Sequence, residues 1–170
     1  MDLPTLIRTR RTHKAYAPAP VDRETLDALF ELARWAPNHN LTNPWRFRVL
    51  GPAALERLMD AAGPEAGAKL KRAPTLVVAS VRQDPDDPVA AAEDRDAAAV
   101  ACYIVLLAAH GRGLAGYWRT PAVLRSPEGR SAVEVPAGER VIGLLHLGPR
   151  RQDKDPPERL APGDFVTYLP

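Results

Sequence analysis

The chain has 170 residues, 45% of them apolar and 26% charged, which suits one globular domain and leaves no room for a second. Lysine and arginine (23) exceed aspartate and glutamate (21) only slightly, so the pI near 8.9 reflects a small imbalance rather than a cationic face, and nucleic acid is not an expected partner. The longest apolar run, Ala97 to Ala109, is shorter than the roughly 18 residues of a membrane span. Met1-Asp2-Leu3-Pro4 lacks the basic and apolar segments of an export signal, so a cytoplasmic location is expected and no membrane partner.

In chain order, Leu3, Leu6 and Ile7 share a helical face behind Pro4, predicting a short helix from about Leu3 to Arg10. An extended stretch over Tyr16 to Pro20 precedes a helix capped by Asp22, with Leu26, Leu29, Phe30, Leu32 and Ala33 on one face, ending before Pro37. Phe47, Val49 and Leu50 predict a strand. Pro52 then opens a helix bearing Leu55, Leu58, Met59 and Ala62.

Leu76 to Val81 reads as a central buried strand, and Gln83 to Pro88 as a loop. Glu93 to His110 is the strongest helix, closed by Gly111 with Gly113 beyond, and its apolar surround from Ala97 onward asks for burial by a dimer partner. Cys102 within it reads as a buried thiol. Strands are predicted at Leu114 to Trp118 and Val141 to Leu147, a loop over Arg150 to Pro162, and an isolated strand-like segment, Phe165 to Leu169, that would dock on a partner subunit. Short strands separated by helices indicate a mixed α/β or α+β domain.

Three stretches could carry chemistry. Arg10-Arg11-Thr12, at a helix end, offers two guanidinium forks and a hydroxyl suited to a phosphate monoester. Two arginines there also serve as ordinary complements of the helix dipole. Ala36 to Trp45 holds amides, an imidazole and a hydroxyl that either bind a flavin's polar edge or cap their own loop. Gly111 to Thr120 runs helix, glycines, strand, the reverse of the Rossmann order, so it is no dinucleotide fingerprint, although Trp118, Arg119 and Thr120 could meet a flavin at the strand's end. The four histidines do not cluster with cysteine or carboxylate at ligand spacing, so no metal site is expected.

Taken in order, Arg10-Arg11-Thr12, Ala36-Pro37 followed by Asn43-Pro44-Trp45, Gly116-Tyr117-Trp118-Arg119-Thr120 and the terminal Phe165-Val166-Thr167-Tyr168 resemble the nitroreductase family across essentially the whole chain, and most closely its small single-domain bacterial members. The resemblance implies one α+β domain over residues 1 to 170, with a central mixed sheet flanked by helices, in an intertwined homodimer holding two FMN sites. It implies that Arg10, Arg11 and Thr12 hold phosphate and ribityl groups, that Trp118, Arg119 and Thr120 line the same flavin, that His39 reaches in from the other subunit, and that Trp35 is a further cofactor contact that could stack. Trp35 stands where small relatives carry a polar contact, and Asn38-His39 and Leu41 depart from the family's serines and asparagine. Arg150 and Arg151 are second-rank phosphate candidates.

The implied activity is FMN-dependent transfer of electrons from NADH or NADPH to a nitroaromatic, quinone or similar small acceptor by a ping-pong cycle. Hydride chemistry belongs to the flavin, so no protein acid or base is required a priori. Arg119 beside the flavin pyrimidine would stabilise negative charge on the reduced cofactor. A flavin-storage protein, a reductive dehalogenase-like enzyme and a cofactor-free basic interaction module are the alternatives.

Overall fold

The computed structural model describes residues 1–84 and 86–170; Pro85, inside the loop expected over Gln83 to Pro88, lies outside the described residues. Helix α1 spans Leu3–Thr9, with Asp2 accepting from the Thr5 amide at 2.8 Å and Pro4 in the first turn. Helix α2, Arg23–Ala33, is capped by Asp22 as expected, 2.7 Å from the Thr25 amide. Strand β1 (Trp45–Val49) leads into α3 (Pro52–Ala62), then a short α4 (Pro64–Ala68) and a 3-10 turn, Leu70–Arg72.

Strand β2 (Thr75–Arg82) is buried over nearly its whole length and lies inside the sheet, as the largely apolar Leu76 to Val81 segment predicts. Helix α5, Pro88–Gly111, starts earlier than the expected Glu93, because Asp87 caps it and Pro88 serves as a first-turn residue rather than a loop closer. It also ends later: Gly111 is still helical, and the left-handed stop falls on Gly113, φ 77°. Strand β3 (Leu114–Arg119), a 3-10 turn at Ala122–Arg125, α6 (Pro127–Ala132) and β4 (Glu139–Pro149) complete the domain.

The sheet order is β1-β2-β4-β3, and all three pairings are antiparallel. The parallel component expected of a mixed sheet is confined, among the described residues, to an isolated bridge between Thr12 and Gly116. One face carries α2 and α5, with Leu29, Val77, Val105, Leu145 and Leu147 in its core; the other packs Leu58, Leu70, Val78 and Leu144 beneath α3 and α6. Tying β1, β2 and β4, Arg48 donates to both Glu139 oxygens at 2.7 and 3.0 Å while Ser80 donates to the same carboxylate at 2.6 Å.

Two expectations change. Helix α5 buries its apolar half within its own chain, against α2, α1 and the sheet; from Ala97 to His110 Val100 and Tyr103 alone among the described residues are exposed. Phe165 to Leu169 forms no strand: it follows a 3-10 turn at Pro162–Asp164 and, like all of residues 151–170, is exposed. Among the described residues no strand pairs with it, and its apolar residues Phe165, Val166, Tyr168 and Leu169 meet solvent. No helix of the described residues is long and apolar enough to cross a membrane.

Candidate functional site

The end of α1 is fixed from two sides. The Thr9 hydroxyl lies 2.7 Å from the Thr5 carbonyl and 2.9 Å from Nε2 of buried His110, with which it shares a hydrogen bond. Arg10 follows as the helix cap, its guanidinium 5.9 Å from the centre of the Tyr103 ring on α5. Arg11 turns back to the Arg10 carbonyl at 2.5 Å and reaches the Asp155 carbonyl at 3.3 Å. With Arg8 and Arg159, these arginines and Tyr103 surround a cavity of about 550 Å³.

From there the chain runs as a strap along the sheet margin. Thr12 bridges to Gly116, the His13 amide donates to the Gly116 carbonyl at 3.1 Å, and Tyr16 bridges to Arg150. A Cβ at Gly116 would meet the Leu106 side chain at 2.9 Å, so glycine here lets β3 lie close on α5. His13 is buried, and burial first, then Arg150, Lys154 and Arg10, hold its pKa below the usual histidine value. Among the described residues, His13 Nδ1 and Arg150 Nε are buried without a hydrogen-bond partner. Arg150 thus joins this basic neighbourhood, whereas Arg151 is exposed beyond it.

The far end of the strap enters a second basic cavity, of about 190 Å³, lined by Lys14, Lys69, Arg72 and Arg119 with Tyr16, Tyr117 and His146, and by no carboxylate. The Lys14 ammonium lies 5.9 Å from the Tyr117 ring centre, and the Tyr117 and His146 rings are 5.5 Å apart. Burial, then Arg119 and Arg72, push the His146 pKa down to about 4, so it is neutral near pH 7. Its Nε2 has no partner. Burial, then Tyr117, raises the Tyr16 hydroxyl well above its ordinary value; that hydroxyl donates to the His13 carbonyl at 2.7 Å.

The predicted trio at the end of β3 is divided by strand alternation. Tyr117 and Arg119 face the basic cavity, while Trp118 and Thr120 line a third cavity on the α5 side of the sheet. Trp35 and His39 stand apart from Arg10 to Thr12 in the single chain. Trp35 is 77% exposed just past α2, and His39 is exposed with Nδ1 3.8 Å from a Glu93 oxygen.

The loop amides largely serve the loop itself: Asn38 donates to the Ala36 carbonyl at 3.1 Å and accepts from the Asn43 amide at 2.9 Å, and Asn43 donates to the Leu41 carbonyl at 2.7 Å. Asn40, Leu41 and Asn43 all have left-handed φ, costly for leucine, and Leu41 is exposed. No group of three potential metal ligands occurs among the described residues. Cys102 is buried, its thiol pushed up to about 12, which makes it inert.

Sequence reasoning missed Lys14, Lys69, Arg72 and His146. Lys14 carried a signal, two residues from Thr12 on an extended segment. Lys69 and Arg72 reach the same cavity from a remote turn and carried none.

The nitroreductase family profile matches residues 7–66. Over 185 aligned residues, covering 99% of this chain and 100% of the relative, the sequence is 32% identical to a Haemophilus influenzae protein named "Putative NAD(P)H nitroreductase". The chain belongs to the nitroreductase family. Among solved structures, the nitroreductase-like family protein of Bacillus cereus superposes with a TM-score of 0.90 at 22% identity, covering 99% of this chain and 96% of that one. An FMN-dependent nitroreductase of Clostridium difficile gives 0.78 at 22% identity over 98% of both chains. At these identities the two structures establish the shared α+β nitroreductase fold.

Proposed function

We propose that this nitroreductase-family chain is an FMN-dependent NAD(P)H oxidoreductase that reduces nitroaromatic, quinone or similar small acceptors and works as a homodimer. The observation that carries this is a pair of basic cavities joined by the Thr12 to Lys14 strap: Arg8, Arg10, Arg11 and Arg159 at one end, Lys14, Lys69, Arg72 and Arg119 at the other. An elongated ligand with a phosphate at one end and an edge that gains negative charge at the other matches that distribution.

The polar groups left over also fit FMN. Buried His13 Nδ1, Arg150 Nε and His146 Nε2 lack partners along this path, and a buried polar group without a partner is costly unless a ligand or water completes it. Arg10 and Arg11 would take the phosphate, Thr12 the ribityl side, and Arg119 with the main chain of Trp118 to Thr120 the ring edge. Once bound, FMN supplies hydride acceptance from NADH or NADPH and delivery to an acceptor. The chain's part is to bind, to orient, and to hold fixed positive charge at the ring edge in a confined site. One site serving donor and acceptor in turn gives ping-pong kinetics.

Support for the dimer is the amount of apolar surface left open. Leu160, Phe165, Tyr168 and Leu169 on the tail, Val100 and Tyr103 on α5, and Trp35 and Leu41 beside the loop are all exposed, and β1 has a free edge. A second copy would cover them and bring Trp35 and His39 to the partner's flavin. Purified protein should bind FMN, lose its oxidised-flavin absorption on anaerobic addition of NADH or NADPH, and sediment at twice 18.5 kDa. Protein that takes up no FMN contradicts the proposal; flavin that binds but is not reduced leaves a storage protein.

A further inference from the structure

The third cavity lies on the opposite face of the sheet from the basic one, measures about 390 Å³, and falls within the roughly 300–1,000 Å³ of small-molecule sites. Its flat wall is fixed by two features of the sheet. The Trp118 indole donates to the Ile142 carbonyl at 3.0 Å, and it lies across Gly143, where a Cβ would stand 1.9 Å from Nε1. Glycine at 143 is what admits the indole to this position.

The cavity's charged lining is cationic. Arg95, Arg125 and Arg140 line it, with no carboxylate among the lining residues. Arg95 is paired with Asp96 at 3.0 Å, whereas Arg125 and Arg140 have no ion-pair or side-chain hydrogen-bond partner among the described residues. Guanidinium groups present parallel donors that match a carboxylate, and a fixed indole offers a planar surface to an aromatic ring. A purely apolar ligand would leave the arginines unused, and a small aliphatic acid would leave the indole wall bare.

We propose that this cavity is a second binding site, separate from the flavin path, for a compact monocyclic aromatic carboxylate. The ring lies against Trp118 and the carboxylate meets Arg125 and Arg140. The proposal stands on this cavity alone and does not depend on the chain binding FMN.

Calorimetric titration with benzoate, benzamide and acetate tests it, on FMN-free and FMN-saturated protein. Benzoate should bind saturably with both forms at similar affinity, and benzamide and acetate should each bind about tenfold more weakly or not at all. The exposed double variant Arg125→Ala/Arg140→Ala, with an unchanged circular dichroism spectrum, should lose about tenfold in benzoate affinity. Absence of saturable benzoate binding, equal binding of acetate or benzamide, or displacement of benzoate by FMN overturns the proposal. If the double variant fails to fold, the ligand comparison on the native chain decides alone.

Discussion

Thr9 Oγ1 lies 2.9 Å from Nε2 of His110, joining the last residue of α1 to the last turn of α5 immediately before Arg10. The bond makes the end of the central helix a support for the residue proposed to grip phosphate. Thr9→Val should cost about 1 kcal/mol of stability and lower FMN affinity several-fold, because Arg10 then starts from a frayed helix end. Thermal melts and FMN titration of the variant check both effects; an unchanged FMN affinity would separate this contact from the site.

The two candidate arginines after β4 are expected to differ. Arg10→Ala should weaken FMN binding by about 1.5 to 3 kcal/mol, the worth of a charge-assisted contact. Arg150→Ala should act in the same direction, since Arg150 sits with His13 beside the strap. Arg151→Ala should leave affinity unchanged, as its side chain is exposed outside that neighbourhood. Fluorescence titration of FMN ranks the three.

Acid should destabilise the fold through buried histidines. His146 has a folded pKa of about 4 against roughly 6.5 when unfolded, so the unfolded chain binds the proton first as pH drops. Its contribution is fully present above about pH 6.5 and is lost as pH falls toward 4, a loss of about 3 kcal/mol. His13 and His110 are lowered by burial in the same direction. Urea denaturation across this range should show stability falling, with a shallower fall for His146→Gln; parallel curves would show that His146 does not titrate this way.

Gly143→Ala should be strongly destabilising for a residue that gains one methyl group. The added Cβ would overlap the Trp118 indole, forcing Trp118 to give up its bond to Ile142. Unfavourable overpacking of this kind costs about 1 to 3 kcal/mol. A lowered melting temperature with altered tryptophan emission is the expected result, and wild-type values for both would show that the indole has room to move.

Much of the fold could be read from local chemistry. Asp22 before a periodic apolar face, Pro52 at a first turn and the largely apolar Leu76 to Val81 segment each report an environment through neighbours in sequence. What was not legible depended on distant pairings. Whether the sheet is mixed is decided by which strands meet, and Phe165 to Leu169 has strand propensity but no partner within the chain. The phosphate end was readable because Arg10 and Arg11 are adjacent, whereas Lys69, just before the Leu70–Arg72 turn, and Arg72 within it line the same cavity as Lys14 from far along the chain.

Arg10 to Thr12 and the Lys14 cavity are proposed to hold one flavin between them. The most direct test is anaerobic FMN titration of the cofactor-free protein, followed by NADH or NADPH, for wild type, Arg10→Ala and Arg119→Ala. The expected results are saturable binding with reducible flavin in the wild type, weaker binding in Arg10→Ala, and a more negative flavin midpoint potential in Arg119→Ala, since positive charge beside the ring stabilises the reduced anion. Saturable FMN binding that neither substitution alters, in affinity or in potential, would contradict it.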